Sequence, residues 1–438
     1  MLSRRSFLWL SSLATGFSFV PRPSWAQRPA APMPATLPPS IATLTSLKNG
    51  ARPITNDERL NRVARARTLM ADSRIDAMML TGGTSLVYFT NIRWGLSERL
   101  FAMLLPAKGD PFFVCPAFEA DRAQEQIALS PFAGHADLRT WEEDESPYAL
   151  VARGLADRGV ATGALGVEET VRFVFSDGVA QAAPGLKLVS ATPVTAGCRM
   201  IKDAHEIALM RLAAKVTLTA YAAAFKALKD GMTQNDFGGL VAAAHTKLGF
   251  PGGCSVQVGQ YTALPHGSIT PQRIREGSIV LIDGGCSVEG YSSDISRTFI
   301  LGKPTDKMKQ VFDIVHRAQT AAMTTAKPGL PLDAVDAAAR KVIVDAGYGP
   351  GFKYFTHRVG HGLGMDGHEW AYLVRNNMFG WTKSLTLQPA MTFSDEPGIY
   401  IREEFGVRLE DDLLITDGGA ELLTPQSPSL DQPFANVT

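Results

Sequence analysis

Two stretches of this chain read as β-hairpins that each carry a pair of carboxylates, and that pattern restricts the fold more than any other. In GSIVLIDGGCSVEGYSSDISRTF an apolar strand of the buried type, Ser278 to Ile282, runs into Asp283. Gly284, Gly285 and Gly290 supply turn chemistry, and a return strand carries Asp294. A pivot between Val288 and Glu289 sets Asp283 directly opposite Asp294. Like charges so placed destabilise a sheet, so they are either two solvated loop aspartates or a pair with a cation between them. In FSDEPGIYIREEFGVRLEDDLLIT, Glu396 and Glu410 stand symmetrically about a turn near Glu403. They too would be cross-strand neighbours, with Arg408 two residues before Glu410 and hence on the same face.

Between the hairpins lies THRVGHGLGMDGHE, with His357, His361 and His368. Gly360, Gly362 and Gly364 argue against a helix, so this is no helical zinc pair, and HExxH is absent. His266 (in LPHG) completes the four histidines of the apolar, Gly-rich segments. His135, His205, His245 and His316 lie in ordinary polar or helical contexts and read as structural or surface residues.

The rest of the chain organises around that region. Arg4 and Arg5, the apolar run Leu8 to Val20 and the small-x-small Ser24-Trp25-Ala26 read as an export signal over residues 1–26. The apolar run is shorter than the ~20 residues a membrane span needs, and Ser3-Arg4-Arg5-Ser6-Phe7-Leu8 resembles the twin-arginine type, with an ordinary secretory signal as the alternative. The expected destination is the periplasm or the exterior, with no anchor after processing. Residues 27–55 are rich in Pro and Ala and read as a tether. From Asn56 the pattern turns αβ: a helix from Asp57 to Ser73, a strand from Ala77 to Leu80, then short apolar runs at Ser85–Thr90, Leu100–Pro106 and Pro111–Cys115. A boundary near Thr195-Ala196-Gly197 gives domains at 56–197 and 198–438. Beyond it, Asp203 with Glu206 is a capping box that opens a long helix, and Thr233 with Asp236 opens another. Lys+Arg and Asp+Glu both number 43, which provides no footprint for nucleic acid or an anionic membrane. The four cysteines form no CxxC pair and read as buried thiols, with one or two disulfides permitted by an oxidising destination.

At this point a family resemblance is specific. The two hairpins with a Gly-flanked histidine between them resemble the duplicated catalytic domain of the pita-bread metallopeptidases, the family of methionine aminopeptidase, aminopeptidase P, prolidase and creatinase. The words LIDGG, GYSSDISRTF, GHGLG, EPGIY and GVRLEDD carry it over residues 198–425. YFTNIRWGLSERLFAMLLP extends it to a creatinase-like N-terminal αβ domain. The implied fold class is therefore α/β (α+β), a creatinase-like domain followed by a pita-bread domain.

The resemblance implies metal ligands Asp283, Asp294, His361, Glu396 and Glu410. By that resemblance Asp294 and Glu410 bridge two divalent ions, Asp283 holds one, and His361 with Glu396 hold the other; four carboxylates are near neutral only with both ions bound, and an oxygen-rich set with one imidazole suits Mn²⁺ first, or Co²⁺ or Zn²⁺. A water trapped between two cations ionises near neutral pH and becomes the nucleophile. By the same resemblance His266 and His368 face the scissile amide and the substrate's proline, His357 belongs to the site, Arg408 anchors carboxylate or backbone, and Glu396 carries the proton. The implied activity is an Xaa-Pro dipeptidase or aminopeptidase acting on small peptides, and the implied assembly a homodimer, with Trp94-Gly95-Leu96 as a candidate apolar contact.

Two departures bear on the substrate. Proline-specific relatives often carry Pro soon after the His-Glu pair, whereas Trp370-Ala371 follow Glu369. The turn after EPGIYI is usually Gly-rich, and here it is Arg402-Glu403-Glu404-Phe405. Both changes are expected near the substrate's entry. The alternatives are a creatinase-like hydrolase of a non-peptide C–N bond and a catalytically silent binding protein on the same fold.

Overall fold

Proline at its first turn starts a short helix, α1 (Pro39–Ala42), and Asp57 and Glu58 in the first turn favour the longer α2 (Asn56–Ser73). The computed structural model describes residues 36–437; the signal-type segment 1–26 and the residues just after it lie outside the described part. The expected tether is corrected from residue 37 onward. Ile41 is fully buried, and Leu37, Leu44 and Leu47 lie against the same apolar cluster as Leu209, Tyr221 and Leu248. Ser40 Oγ donates to the Ala223 carbonyl at 2.8 Å, and Leu47 N to that of Leu248 at 2.9 Å. Leucine and isoleucine spaced among the prolines supply the apolar area that a free linker would lack.

The chain forms two compact units, Arg59–Ala191 and a second made of residues 36–58 with 192–437. The first is a six-stranded mixed sheet in the order β4-β3-β2-β1-β5-β6. Its strands are β1 (Ala77–Thr81), β2 (Ala102–Pro106), β3 (Phe112–Pro116), β4 (Asp137–Trp141), β5 (Gly163–Val167) and β6 (Leu186–Ser190). A short turn joins the antiparallel strands β2 and β3, whereas residues 82–101 lie between β1 and its antiparallel partner β2. The parallel pairings of β4 with β3, β5 with β1 and β6 with β5 are reached through helices α4 (Ala120–Ala128), α5 (Pro147–Ala156) and α6 (Phe173–Ala182) respectively, as parallel strands require. The run Ser85–Thr90 is helical, within α3 (Thr84–Thr90), and closes at Asn91 with φ 64°. Every residue of α3 is buried, so its apolar run carried no period by which to separate helix from strand. Trp94 is buried too and stacks on Phe101 at 4.0 Å, so of the stretch suggested for subunit contact only Leu96 is an exposed large apolar side chain.

The second unit resumes with α7 (Thr192–Met200), which contains the Thr195-Ala196-Gly197 stretch. Both expected capping boxes form, Asp203 with Glu206 at the start of α8 (Ala204–Phe225) and Thr233 with Asp236 at the start of α9 (Gln234–Leu248). These helices pack on the sheet of β7 (Gly252–Val258), β8 (Ile279–Val288), β9 (Tyr291–Ser292) and β10 (Ile295–Ile300). The arrangement then recurs. Helices α10 (Asp306–Thr325) and α11 (Asp333–Asp345) pack in a second apolar cluster with a five-stranded sheet ordered β12-β11-β13-β16-β17. Its strands are β11 (His361–Gly362), β12 (Glu369–Tyr372), β13 (Thr392–Asp395), β16 (Asp411–Thr416) and β17 (Gly419–Leu422); β14 (Gly398–Ile401) pairs separately with β15 (Phe405–Arg408). All four cysteine thiols are free.

Candidate active site

The two carboxylate hairpins differ in how closely they follow the expected register. In the second, β13 pairs Asp395 with Asp411 and β14 pairs Gly398 with Arg408. One register runs through both segments and places Glu396 opposite Glu410 at the seam between them, as the symmetry about Glu403 predicts. In the first, β8 pairs Asp283 with Ser296, so Asp283 and Asp294 are diagonal and not directly opposed. The turn is centred on Glu289-Gly290, with φ of 51° and 93°. Left-handed values at both positions suit glycine second in a tight hairpin turn and move the pivot one residue along.

The carboxylates meet all the same. One ligand atom each from Asp283, Asp294 and Glu410 lies within 4.8 Å of the others, and the same holds for His361, Glu396 and Glu410. Glu410 belongs to both groups. His361 Nδ1 donates to the Gly362 carbonyl at 3.0 Å, which leaves Nε2 facing Glu396 Oε1 at 3.3 Å and Asp294 Oδ2 at 4.0 Å. Such a backbone partner fixes a ligand histidine's tautomer and aim. Ser394 Oγ donates to Glu396 Oε1 at 3.1 Å and accepts from the His361 amide at 3.1 Å. Ser296 Oγ donates to Glu410 Oε2 at 2.5 Å. Behind these donor groups, the fully buried Arg297 donates to the Glu410 carbonyl at 2.8 Å, to Asp411 Oδ1 at 2.6 Å and to the Pro425 carbonyl at 2.9 Å.

The electrostatics test whether cations fit. Burial, and then the neighbouring Asp283 and Glu396 charges, push Asp294 well above the usual carboxylate range. Burial with Asp294, Glu396 and Asp283 does the same to Glu410, and burial opposed by Arg408 leaves Glu396 pushed up to about 7. Burial holds His361 well below the ordinary imidazole value. A neutral imidazole among carboxylates that resist sharing one space is a donor set that divalent metal ions satisfy.

A cavity of about 620 Å³ opens onto these residues and is lined as well by His266, His357, His368, Arg358 and Arg408. His368 stacks on His361 with ring centres 3.7 Å apart, and its ring also reaches a possible ligand position beside Asp294 and His361. Burial on its packed side, then the Arg358 charge, hold its pKa down to about 4. His357 Nδ1 donates to the Arg358 carbonyl at 2.8 Å, and its Nε2 lies 2.7 Å from the Tyr400 hydroxyl. Burial lowers its pKa to about 3. The cavity therefore brings together every histidine, carboxylate and arginine singled out from the sequence. Neither Trp370 nor the Arg402–Phe405 turn lines it.

Sequence reasoning passed over Arg358, Tyr400, Ser296 and Ser394. Arg358 stands between two singled-out histidines, which was the available signal; nothing in the sequence separates the two serines from ordinary strand residues. It also passed over Arg199 and Lys202, which are buried against Glu369, next in sequence to His368. Arg199 pairs with Asp366 and Glu369, and Lys202 Nζ lies 3.4 Å from Glu369 Oε2.

Comparison with known proteins agrees with this arrangement. Residues 208–417 match metallopeptidase family M24, and residues 62–201 match the creatinase/prolidase N-terminal domain. An uncharacterised peptidase of Schizosaccharomyces pombe is 34% identical over 397 residues, covering 86% of this chain and 84% of that one. The chain belongs to metallopeptidase family M24. This M24 member is also 31% identical to an Xaa-Pro dipeptidase of Lactobacillus delbrueckii subsp. lactis, over 82% of its own length and 96% of the relative's. Among solved structures, dipeptidase PepE from Mycobacterium ulcerans is similar with a TM-score of 0.79 and 31% identity, over 87% of the M24 chain and 99% of the other. Its α/β architecture is thus a creatinase-like N-terminal domain followed by the pita-bread catalytic domain of the M24 family.

Proposed function

We propose that this metallopeptidase cleaves the peptide bond before proline in small peptides, with two divalent ions held by Asp283, Asp294, His361, Glu396 and Glu410. The observation that carries the proposal is the convergence of those five donors with three further imidazoles in one cavity. The names of its relatives support the substrate class. Asp294 and Glu410 would be shared between the ions, Asp283 would hold one, and His361 with Glu396 the other. The oxygen-rich set favours Mn²⁺, with Co²⁺ or Zn²⁺ as alternatives. When bound, the ions would supply the charge that ionises a trapped water near neutral pH and stabilises the tetrahedral oxyanion.

The chain's own groups would divide the remaining work. Ser296, Ser394 and the Gly362 carbonyl hold Glu410, Glu396 and His361 in fixed orientations. Glu396, with one oxygen toward His361 and the other 3.8 Å from His357 Nδ1, would carry a proton to the leaving nitrogen. His266 and His368, on the cavity wall, would donate hydrogen bonds to the substrate. The same reading has the chain exported by a twin-arginine-type signal at residues 1–26 to the periplasm or exterior and working as a homodimer. A fully active monomer in light scattering at assay concentration would contradict the dimer.

The direct test assays metal-stripped and Mn²⁺-reconstituted protein against Xaa-Pro dipeptides and Xaa-Pro-Xaa tripeptides, with elemental analysis of the same samples. Two ions per chain and metal-dependent proline-specific turnover are expected. A stoichiometry near zero with undiminished activity in chelator would refute the proposal in favour of the creatinase type.

A further inference from the structure

Between β11 and β12 the chain makes a turn, residues 363–368, that belongs to no strand. The ladder on either side of it is short, with two residue pairs and a register shift between them. His368 is the last residue of this turn; it is exposed and lines the cavity. Surface turns of that kind are ordinarily mobile. A histidine that meets a reacting group must instead be held to within a fraction of an ångström.

The holding groups come from the end of α7 and the residues just after it. One terminal nitrogen of Arg199 donates to both Asp366 and Glu369, which flank Gly367-His368. Glu369 Oε1 also accepts from the Asp366 amide at 3.0 Å, and its Oε2 lies 3.4 Å from Lys202 Nζ. The carboxylate sits so close beneath the turn that a Cβ at Gly364 would come within 2.7 Å of Oε2. On the other side, Lys202 N donates to the Ala390 carbonyl at 2.9 Å and Ile201 bridges Met391. The clamp therefore shares a frame with β13, the strand that leads into Glu396. Two buried cations facing two carboxylates are a costly way to add stability, since apolar residues of the same volume often do as well. What the cluster does provide is one fixed arrangement of the turn.

We propose that Arg199 is a positioning residue: by bridging Asp366 and Glu369 it fixes the turn between them, and with it the place from which His368 meets the substrate. The role given to His368 rests on the peptidase reading, whereas the hold of Arg199 on that histidine can be read without turnover.

The test is a double-mutant cycle on Mn²⁺-loaded protein with an Xaa-Pro dipeptide, using R199Q, R199K, H368A and R199Q/H368A. R199Q should keep the metal content of wild type and lose about 10- to 100-fold in kcat, the cost of removing a group that orients a functional side chain, with KM changed by less than about threefold. R199K, whose ammonium can replace the single bridging nitrogen, should recover most of the loss. On the H368A background R199Q should change kcat by less than about twofold, because the two residues act as one unit. Losses that multiply independently, or loss of metal from R199Q, would overturn the proposal. If melting curves show R199Q unfolded, D366N, which removes one arm of the bridge, takes its place in the same cycle with a smaller loss and the same non-additivity expected. NMR of Zn²⁺-loaded protein isotope-labelled on histidine supplies the arm free of turnover. The ring signals assigned to His368 by their absence in H368A should shift or broaden in R199Q and return in R199K, with those of the core residue His245 unchanged. Unmoved His368 signals refute the clamp. If wild type cleaves no Xaa-Pro peptide, the peptidase reading has failed and the NMR arm alone decides: movement of the His368 signals supports the clamp, and its absence refutes it.

Discussion

Replacing Glu396 by glutamine separates the electrostatic cost of the site from its chemistry. The Glu396 side chain is only 14% exposed, and burial, opposed by Arg408 and reinforced by the Asp283 charge, moves its carboxyl from 4.5 to about 7. Between those values the folded metal-free protein binds more protons than the unfolded chain. Stability from this group is therefore greatest below about pH 4.5 and declines as pH rises to about 7. The full decline is about 3 kcal/mol. Glutamine keeps the shape without the charge and should show no such decline. In chelator at pH 8 the E396Q protein should therefore unfold above wild type, by on the order of 5–10 °C for a unit of this size, and the two should converge toward pH 4.5. With excess Mn²⁺ the order should reverse, because a neutral amide is the poorer ligand and gains less from mass action. Scanning calorimetry from pH 4.5 to 8, with chelator and then with Mn²⁺, reads all of this. Coincident melting at pH 8 in chelator, or a gap of the same size at pH 4.5, would show that these carboxylates do not strain one another as argued.

His368→Ala and His266→Ala should each retain two ions by elemental analysis while kcat falls by ~10²–10³; loss of metal from His368→Ala would make that residue a ligand. Glu369→Gln leaves Arg199 and Lys202 buried without their shared carboxylate and should destabilise the catalytic unit by about 3–5 kcal/mol in urea titration, where a change below about 1 kcal/mol would remove the ion cluster from any structural role. Replacing both Arg4 and Arg5 by lysine should strand unprocessed protein in the cytoplasm on fractionation, and normal processing of that variant would rule out the twin-arginine route.

The parts of the site that were legible in the sequence are those whose chemistry is dictated by local pattern. Glu396 and Glu410 could be placed opposite each other because strand pairing around one turn is symmetric, and the β13–β16 and β14–β15 registers keep that symmetry. Asp283 and Asp294 were paired correctly as partners but in the wrong register, because the choice between Val288-Glu289 and Glu289-Gly290 as pivot depends on which residues take positive φ. The segment 36–55 was misread because proline content signals a linker only when no partner surface exists, and that surface comes from α8 and α9, far along the chain. Arg199 and Lys202 were illegible for a related reason. A charge beside a capping box reads as solvent-facing, and only the tertiary fold delivers Glu369 to it.

The buried Arg297 has a bearing on when this enzyme can come into being. It joins β10 to the Glu410 carbonyl and Asp411, and through the Pro425 carbonyl to the segment after β17, while Ile300 N donates to the Leu430 carbonyl at 3.0 Å. Asp283 and Asp294 are synthesised more than a hundred residues before Glu396 and Glu410. Contacts so distant in sequence close slowly, and these cannot close until translation has passed Leu430. A nascent chain released before Glu396 would therefore present Asp283 and Asp294 without either of the glutamates that face them in the folded protein.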